Sequence, residues 1–152
     1  MLIRKAVFLD TYDIVELLNI NSLIQQTHRG FISTFNNGIH LVSVENDTIA
    51  SYMSLIENKR PTYVNESPPR KTFEITEFVL NPNKVVDKDR TAAELLKEVV
   101  KQQKESINIV YIENVRSREE AEEYTKTILE TVSFKLLEET DVGRIFLFSP
   151  TP

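Results

Sequence analysis

From Thr72 to Gln102 the chain reads TFEITEFVLNPNKVVDKDRTAAELLKEVVKQ, and this stretch constrains the fold more than any other. Phe73 to Leu80 is a strand-like run, residues 81–90 form a polar, charged loop, and Thr91 to Gln103 is a helix. Thr91 and Glu94 spell a T-x-x-E capping box, which marks the expected helix start. A strand that feeds a loop into a helix N-terminus is a common way to hold an anion. The first amide N–H groups of a helix have no partner inside it.

The flanking elements follow from local pattern. Met1–Phe8 reads as a strand, and Asp10 offers an N-cap to a helix carrying Ile14, Leu17 and Leu18. Asn21 or Ser22 can cap a short second helix that ends near Gly30, with Phe31–Phe35 open between loop and helix. Asn37-Gly38 is a turn. Ile39–Glu45 and Thr48–Ile56 are strands joined by Asn46-Asp47, both tolerant of positive φ. Residues 57–71 carry three prolines and net positive charge, and read as a flap. Ile107–Glu113 is a buried strand, Ser117 caps a helix through Thr131, and Phe134–Glu138 pairs with Arg144–Phe148. The order is β-α-α-β-β-β-α-β-α-β-β, a single α/β domain over residues 1–152.

Composition excludes several chemistries. There are no cysteines, hence no disulfide, thiol nucleophile or thiolate metal site. His28 and His40 are the only histidines and do not pair, so no metal is expected. A net charge of −5 argues against nucleic acid, and no apolar run approaches the ~20 residues of a membrane helix. MLIRKAVFLD turns polar too early for a secretory signal, which makes the cytoplasm the expected location. Only three glycines occur, so any glycine-rich ligand loop must be present in altered form.

Several segments together resemble the GNAT superfamily of N-acetyltransferases. IRKAVFLDTYDIVELL is similar to its opening strand and helix, and HLVSVENDTIASYMSLI to its second and third strands. FEITEFVLNP resembles the fourth strand, which splays from the fifth and admits the pantetheine arm of acetyl-CoA. AELLKEVV resembles the helix after the pyrophosphate loop, while NIVYIEN and SFKLLEE resemble the end. The resemblance implies a mixed sheet of about seven strands flanked by about four helices. It also implies acetyl-CoA as co-substrate and a small-molecule or peptide amine as acceptor.

The loop departs from the family. Its motif reads Gln or Arg, two residues, Gly, one residue, then Gly or Ala. Here Asp87, Lys88, Asp89, Arg90, Thr91 and Ala92 stand under it, and only Ala92 conforms. Asp87 and Asp89 repel a pyrophosphate, whereas Lys84, Lys88 and Arg90 attract one, and Ala92 and Ala93 are small.

By the same resemblance Glu74 is the first candidate base and Glu77 the second, with the two expected on opposite faces of the strand. The amides near Val79 and Leu80 would polarise the thioester carbonyl, and Lys88, Arg90, Thr91, Ala92, Ala93 and Asn114 would contact the cofactor. Tyr124 would be the proton donor, although it stands earlier in its helix than the family's tyrosine. Against these roles, strand carboxylates are more often simply solvated, and Tyr124 suits the apolar stripe of its helix. Two functions follow: an N-acetyltransferase, or a catalytically inactive GNAT-fold protein acting as a binding or regulatory module. Either admits a homodimer.

Overall fold

The computed structural model describes residues 1–20, 25–59, 70–85, 87–114, 134–141 and 143–150. Seven strands form one sheet: β1 (Leu2–Lys5), β2 (Ile39–Glu45), β3 (Thr48–Asn58), β4 (Lys71–Leu80), β5 (Ile107–Asn114), β6 (Lys135–Thr140) and β7 (Gly143–Phe148). The spatial order is β1-β2-β3-β4-β5-β7-β6. Every pairing is antiparallel except β4 with β5.

Three α-helices lie among the described residues: α1 (Thr11–Ile20), α2 (His28–Phe35) and α3 (Lys88–Gln103). The helix expected from Ser117 falls in 115–133, outside them. Helix α3 buries Ala92, Leu95, Leu96 and Val99 against Met53, Leu55, Phe73, Phe78 and Ile109 on one face of the sheet. Removing Leu95, Leu96 and Val99 from water contributes roughly 1.5–3 kcal/mol each. Helices α1 and α2 cover the other face, where Ile14, Leu17, Leu18 and Phe31 pack on Val42, Tyr52 and Val79.

The β2–β3 hairpin turns through Asn46 and Asp47 at φ 49° and 63°, as their side chains allow. Elsewhere the local chemistry differs from expectation. The first strand stops at Lys5, and Phe8–Asp10 is a 3-10 turn. Asp10 does not cap α1. It accepts two hydrogen bonds from Arg4, at 2.7 and 3.0 Å, and one from the Val7 amide at 2.7 Å. The Arg4 bonds outweigh burial, and the carboxyl lies below its ordinary range.

The second helix begins where it was expected to end. Thr27 is its N-cap, accepting from the Gly30 amide at 3.0 Å, and Phe31–Phe35 is helical. Residues 25–27 carry no helix, and 21–24 lie outside the described set. The stronger Thr cap, one step before an amphipathic run, overrides the glycine stop signal. Helix α3 likewise starts earlier, at Lys88, so the capping box at Thr91 and Glu94 does not form.

Candidate functional site

Strand β4 carries the candidate carboxylates, and a bulge decides where they point. Ser54 of β3 stands opposite Glu77 while the next residue, Leu55, stands opposite Ile75, which leaves Thr76 as an extra residue. Phe73 and Ile75 before the bulge, and Phe78 and Leu80 after it, therefore all pack on the α3 side. Glu74 and Glu77 both take the opposite face. The expected placement of the two on opposite faces is overturned because strict alternation fails at Thr76. Its Oγ1 lies 2.7 Å from Ser54 Oγ and donates to the Ser54 carbonyl at 3.1 Å.

Glu77 lines a cleft of about 350 Å³ between α2 and the β3–β4 surface. Burial pushes its carboxyl above the ordinary value of 4.5. Beside it on β3 stands Tyr52, 1% exposed. Burial drives the Tyr52 hydroxyl well above its usual pKa; a hydrogen bond from Ser54 opposes this, and the Glu77 charge adds to it.

His40 completes the group. Its Nε2 lies 2.6 Å from the Asn37 carbonyl and its Nδ1 2.6 Å from the Tyr52 hydroxyl. A carbonyl only accepts, so these partners assign the proton to Nε2, and Tyr52 donates to Nδ1. Burial lowers the His40 pKa more than the Asn37 carbonyl raises it, consistent with a neutral ring. Phe31 meets Tyr52 edge-on, with ring centroids 5.9 Å apart. A half-buried carboxylate, an un-ionised phenol and a neutral imidazole thus share one cleft wall.

The other expected residues separate into groups. Glu74 is half-buried, accepts from Asn58 Nδ2 at 2.8 Å, and stands opposite Ile56 and Val110. It is not among the described residues lining the cleft of Glu77. Glu74 also marks where the sheet divides. The parallel register of β4 with β5 runs only from Lys71–Ile107 to Glu74–Val110; beyond it β4 pairs with β3, and β5 with β7. Val79 and Leu80, both buried, lie in that diverging half. Asn114 ends β5 opposite Gly143. Tyr124 lies outside the described residues.

At the start of α3, Asp87 is the N-cap. Its carboxylate accepts from the Arg90 amide at 3.0 Å, and Thr91 Oγ1 donates to the Asp87 carbonyl at 2.9 Å. Thr91 and Ala92 are buried and Ala93 is half-buried, so these small residues pack into the protein rather than leave room beside the helix start. Lys84, Lys88 and Arg90 are exposed. Lys84 and Arg90 line a second cleft of about 620 Å³ with Asn46, Thr48 and Asp87. Among the described residues no group of three or more His, Asp or Glu could hold a metal ion, and no helix is long and apolar enough to cross a membrane.

The sequence pattern singles out neither Tyr52 nor His40 as a residue of this cleft. A regular two-residue hairpin at Asn46-Asp47 would set His40 opposite Met53. A bulge at Ala50 moves it opposite Ser54 instead, diagonal to Tyr52. No residue signal announces that shift.

No protein-family model matches the sequence, and no curated protein matches it. Solved structures do. A GNAT-family acetyltransferase from Streptococcus agalactiae is similar over 99% of this chain and 96% of its own, at 11% identity and TM-score 0.72. The aminoglycoside 6'-N-acetyltransferase from Enterococcus faecium aligns over 100% and 99%, at 10% identity and TM-score 0.67. An N-acetyltransferase from Thermoplasma acidophilum, solved in complex with coenzyme A, aligns over 98% of both chains at 12% identity and TM-score 0.62. The chain has the fold of the GNAT N-acetyltransferases.

Proposed function

We propose that the protein is an N-acetyltransferase that moves an acetyl group from acetyl-CoA to an amine, with Glu77 as the general base. One observation carries the reading: a half-buried carboxylate of raised pKa faces a cleft on the strand whose pairing with its parallel neighbour ends three residues earlier, at Glu74. A base must hold its proton well enough to take one from an ammonium ion, and burial adjusts a carboxylate in that direction.

The fit to acetyl-CoA divides along the cofactor. The divergence of β4 and β5 suits the pantetheine arm, with the backbone at Val79 and Leu80 beside it. The α3 N-terminus suits the pyrophosphate less well, because Asp87 already accepts the Arg90 amide. Holding the phosphates then falls to the Lys84, Lys88 and Arg90 side chains. When bound, the cofactor supplies the thioester carbonyl as acetyl donor. Glu77 takes one proton from the incoming ammonium. The nitrogen–carbon bond forms as the carbon–sulfur bond breaks, and the second proton released by the nitrogen returns to the thiolate. Tyr52, donating to His40, leaves its oxygen lone pairs to neighbouring donors and keeps its proton.

A second reading, an inactive binding or regulatory module, is favoured by the same Asp87 contact, which supplies a carboxylate where a phosphate would sit. Calorimetric titration with acetyl-CoA and with CoA separates the two. Micromolar binding with thiol release in the presence of an amine supports the enzyme. No binding at millimolar ligand leaves the module.

A further inference from the structure

Beyond the bare reaction, we infer that the Glu77 cleft selects a compact primary monoamine with an apolar body, such as an arylalkylamine, over polycationic amines. This deepens the acetyltransferase reading and rests on it for the chemistry, though not for the binding.

Charge argues first. Glu77 is the only ionisable carboxylate or ammonium group among the described residues lining the cleft. The remaining titratable groups there, His40 and Tyr52, are committed to each other and to the Asn37 carbonyl as a neutral pair. One ammonium ion finds a partner in Glu77. A second or third, as in a polyamine or aminoglycoside, would lose water at this wall, where the next carboxylate, Glu74, lies outside the cleft lining and already accepts from Asn58 Nδ2.

Surface chemistry argues second. Leu18, Phe31, Leu55 and Ile56 line the same cleft. Ile56 is 42% exposed, in the strand position directly opposite Glu74 and one step from Leu55 of the core. A large aliphatic side chain left in water beside a half-buried carboxylate gives a two-part surface. The acid orients an ammonium group, and the hydrocarbon covers what the ammonium is attached to. Size argues third. A volume of about 350 Å³ accommodates roughly a dozen water-sized groups, taking about 30 Å³ for each. That matches one ring with a short aminoalkyl arm.

The test titrates the full chain by calorimetry with 2-phenylethylamine, spermidine, kanamycin and a short peptide with a free N-terminus. The same four amines are then incubated with acetyl-CoA, and the products are weighed by mass spectrometry. The expected result is 2-phenylethylamine bound at least tenfold more tightly than the other three. Glu77→Gln should lose that binding tenfold or more. Ile56→Asp, a change at an exposed position, should weaken 2-phenylethylamine and improve spermidine.

Stronger binding of spermidine, kanamycin or the peptide overturns the inference, and so does absence of binding by any amine. If 2-phenylethylamine binds as expected and no acetylated product forms, the cleft assignment stands and the acetyltransferase reading falls. If only the polycations are acetylated, the reverse holds.

Discussion

The carboxylate of Asp87 accepts the backbone amide of Arg90 at 3.0 Å, so the first turn of α3 is capped by the protein itself. A helix N-terminus has few unpartnered amides, and each one used internally is lost to an anionic ligand.

Asp87→Ala should therefore move two quantities in opposite directions. Loss of the cap costs about 1 kcal/mol of stability, read by urea unfolding. Removal of a negative charge beside the helix start should tighten CoA binding by about two- to fivefold, which corresponds to roughly 0.3–1 kcal/mol. Weaker CoA binding would mean that Asp87 helps to shape the loop for its ligand.

Glu77→Gln keeps the shape and removes the base. Turnover should fall by about 10²- to 10⁴-fold with unchanged folding. Glu74→Gln, which can still accept from Asn58, should cost less than about tenfold on the same scale. A thiol-release assay ranks the two variants, and the opposite ranking would assign the chemistry to Glu74.

Proton linkage gives a separate readout for the same carboxyl. Glu77 is raised in the folded state, so from about pH 4.5 up to its folded pKa the native protein binds more protons than the unfolded chain. Its contribution to stability is present below pH 4.5 and is lost as pH rises through the folded value. The stability of Glu77→Gln relative to wild type should accordingly increase between pH 4.5 and 7.5. His40 has the opposite sign. It is lowered from 6.5, so wild type should lose stability as pH falls below 6.5, and His40→Asn should flatten that slope. Denaturant midpoints across the pH range decide both.

Gly38 precedes β2 at φ +81°, and a Cβ there would lie 2.2 Å from the Leu55 carbonyl oxygen. Gly38→Ala should cost at least about 2 kcal/mol, since both backbone conformation and contact oppose it. A thermal midpoint equal to wild type would refute this turn geometry.

What the sequence made legible was mostly local. The Asn46-Asp47 turn, the apolar spacing of Ile14, Leu17 and Leu18, and the run Ile107–Glu113 each have short-range causes and were read with small errors at their ends. The strand–loop–helix around residues 73–103 was also visible, but its cap was assigned to Thr91 although Asp87 is equally competent. Cap choice depends on which start the core prefers, and that is set by Ala92, Leu95, Leu96 and Val99 docking on the sheet. The site was less visible. Glu77 ranks second because the family resemblance falls on Glu74 and period-two alternation sets the two on opposite faces, and Tyr52 stands unmarked within an apolar strand. Both depend on bulges, at Thr76 and Ala50, that arise from pairing between strands distant from each other's sequence signals.

The bulge at Thr76 is, in wave language, a half-cycle phase slip. A ten-residue strand with unbroken alternation would have to keep one set of side chains inward along its whole length. With the slip, four apolar anchors stay in phase with α3 while two carboxylates emerge together on the far side, three positions apart. Drawing Thr76 into strict alternation would invert everything on one side of it, driving either Glu74 into the core or Phe78 and Leu80 out of it. The carboxylate face of this strand is thus set by where its alternation slips as much as by the chemistry of its residues.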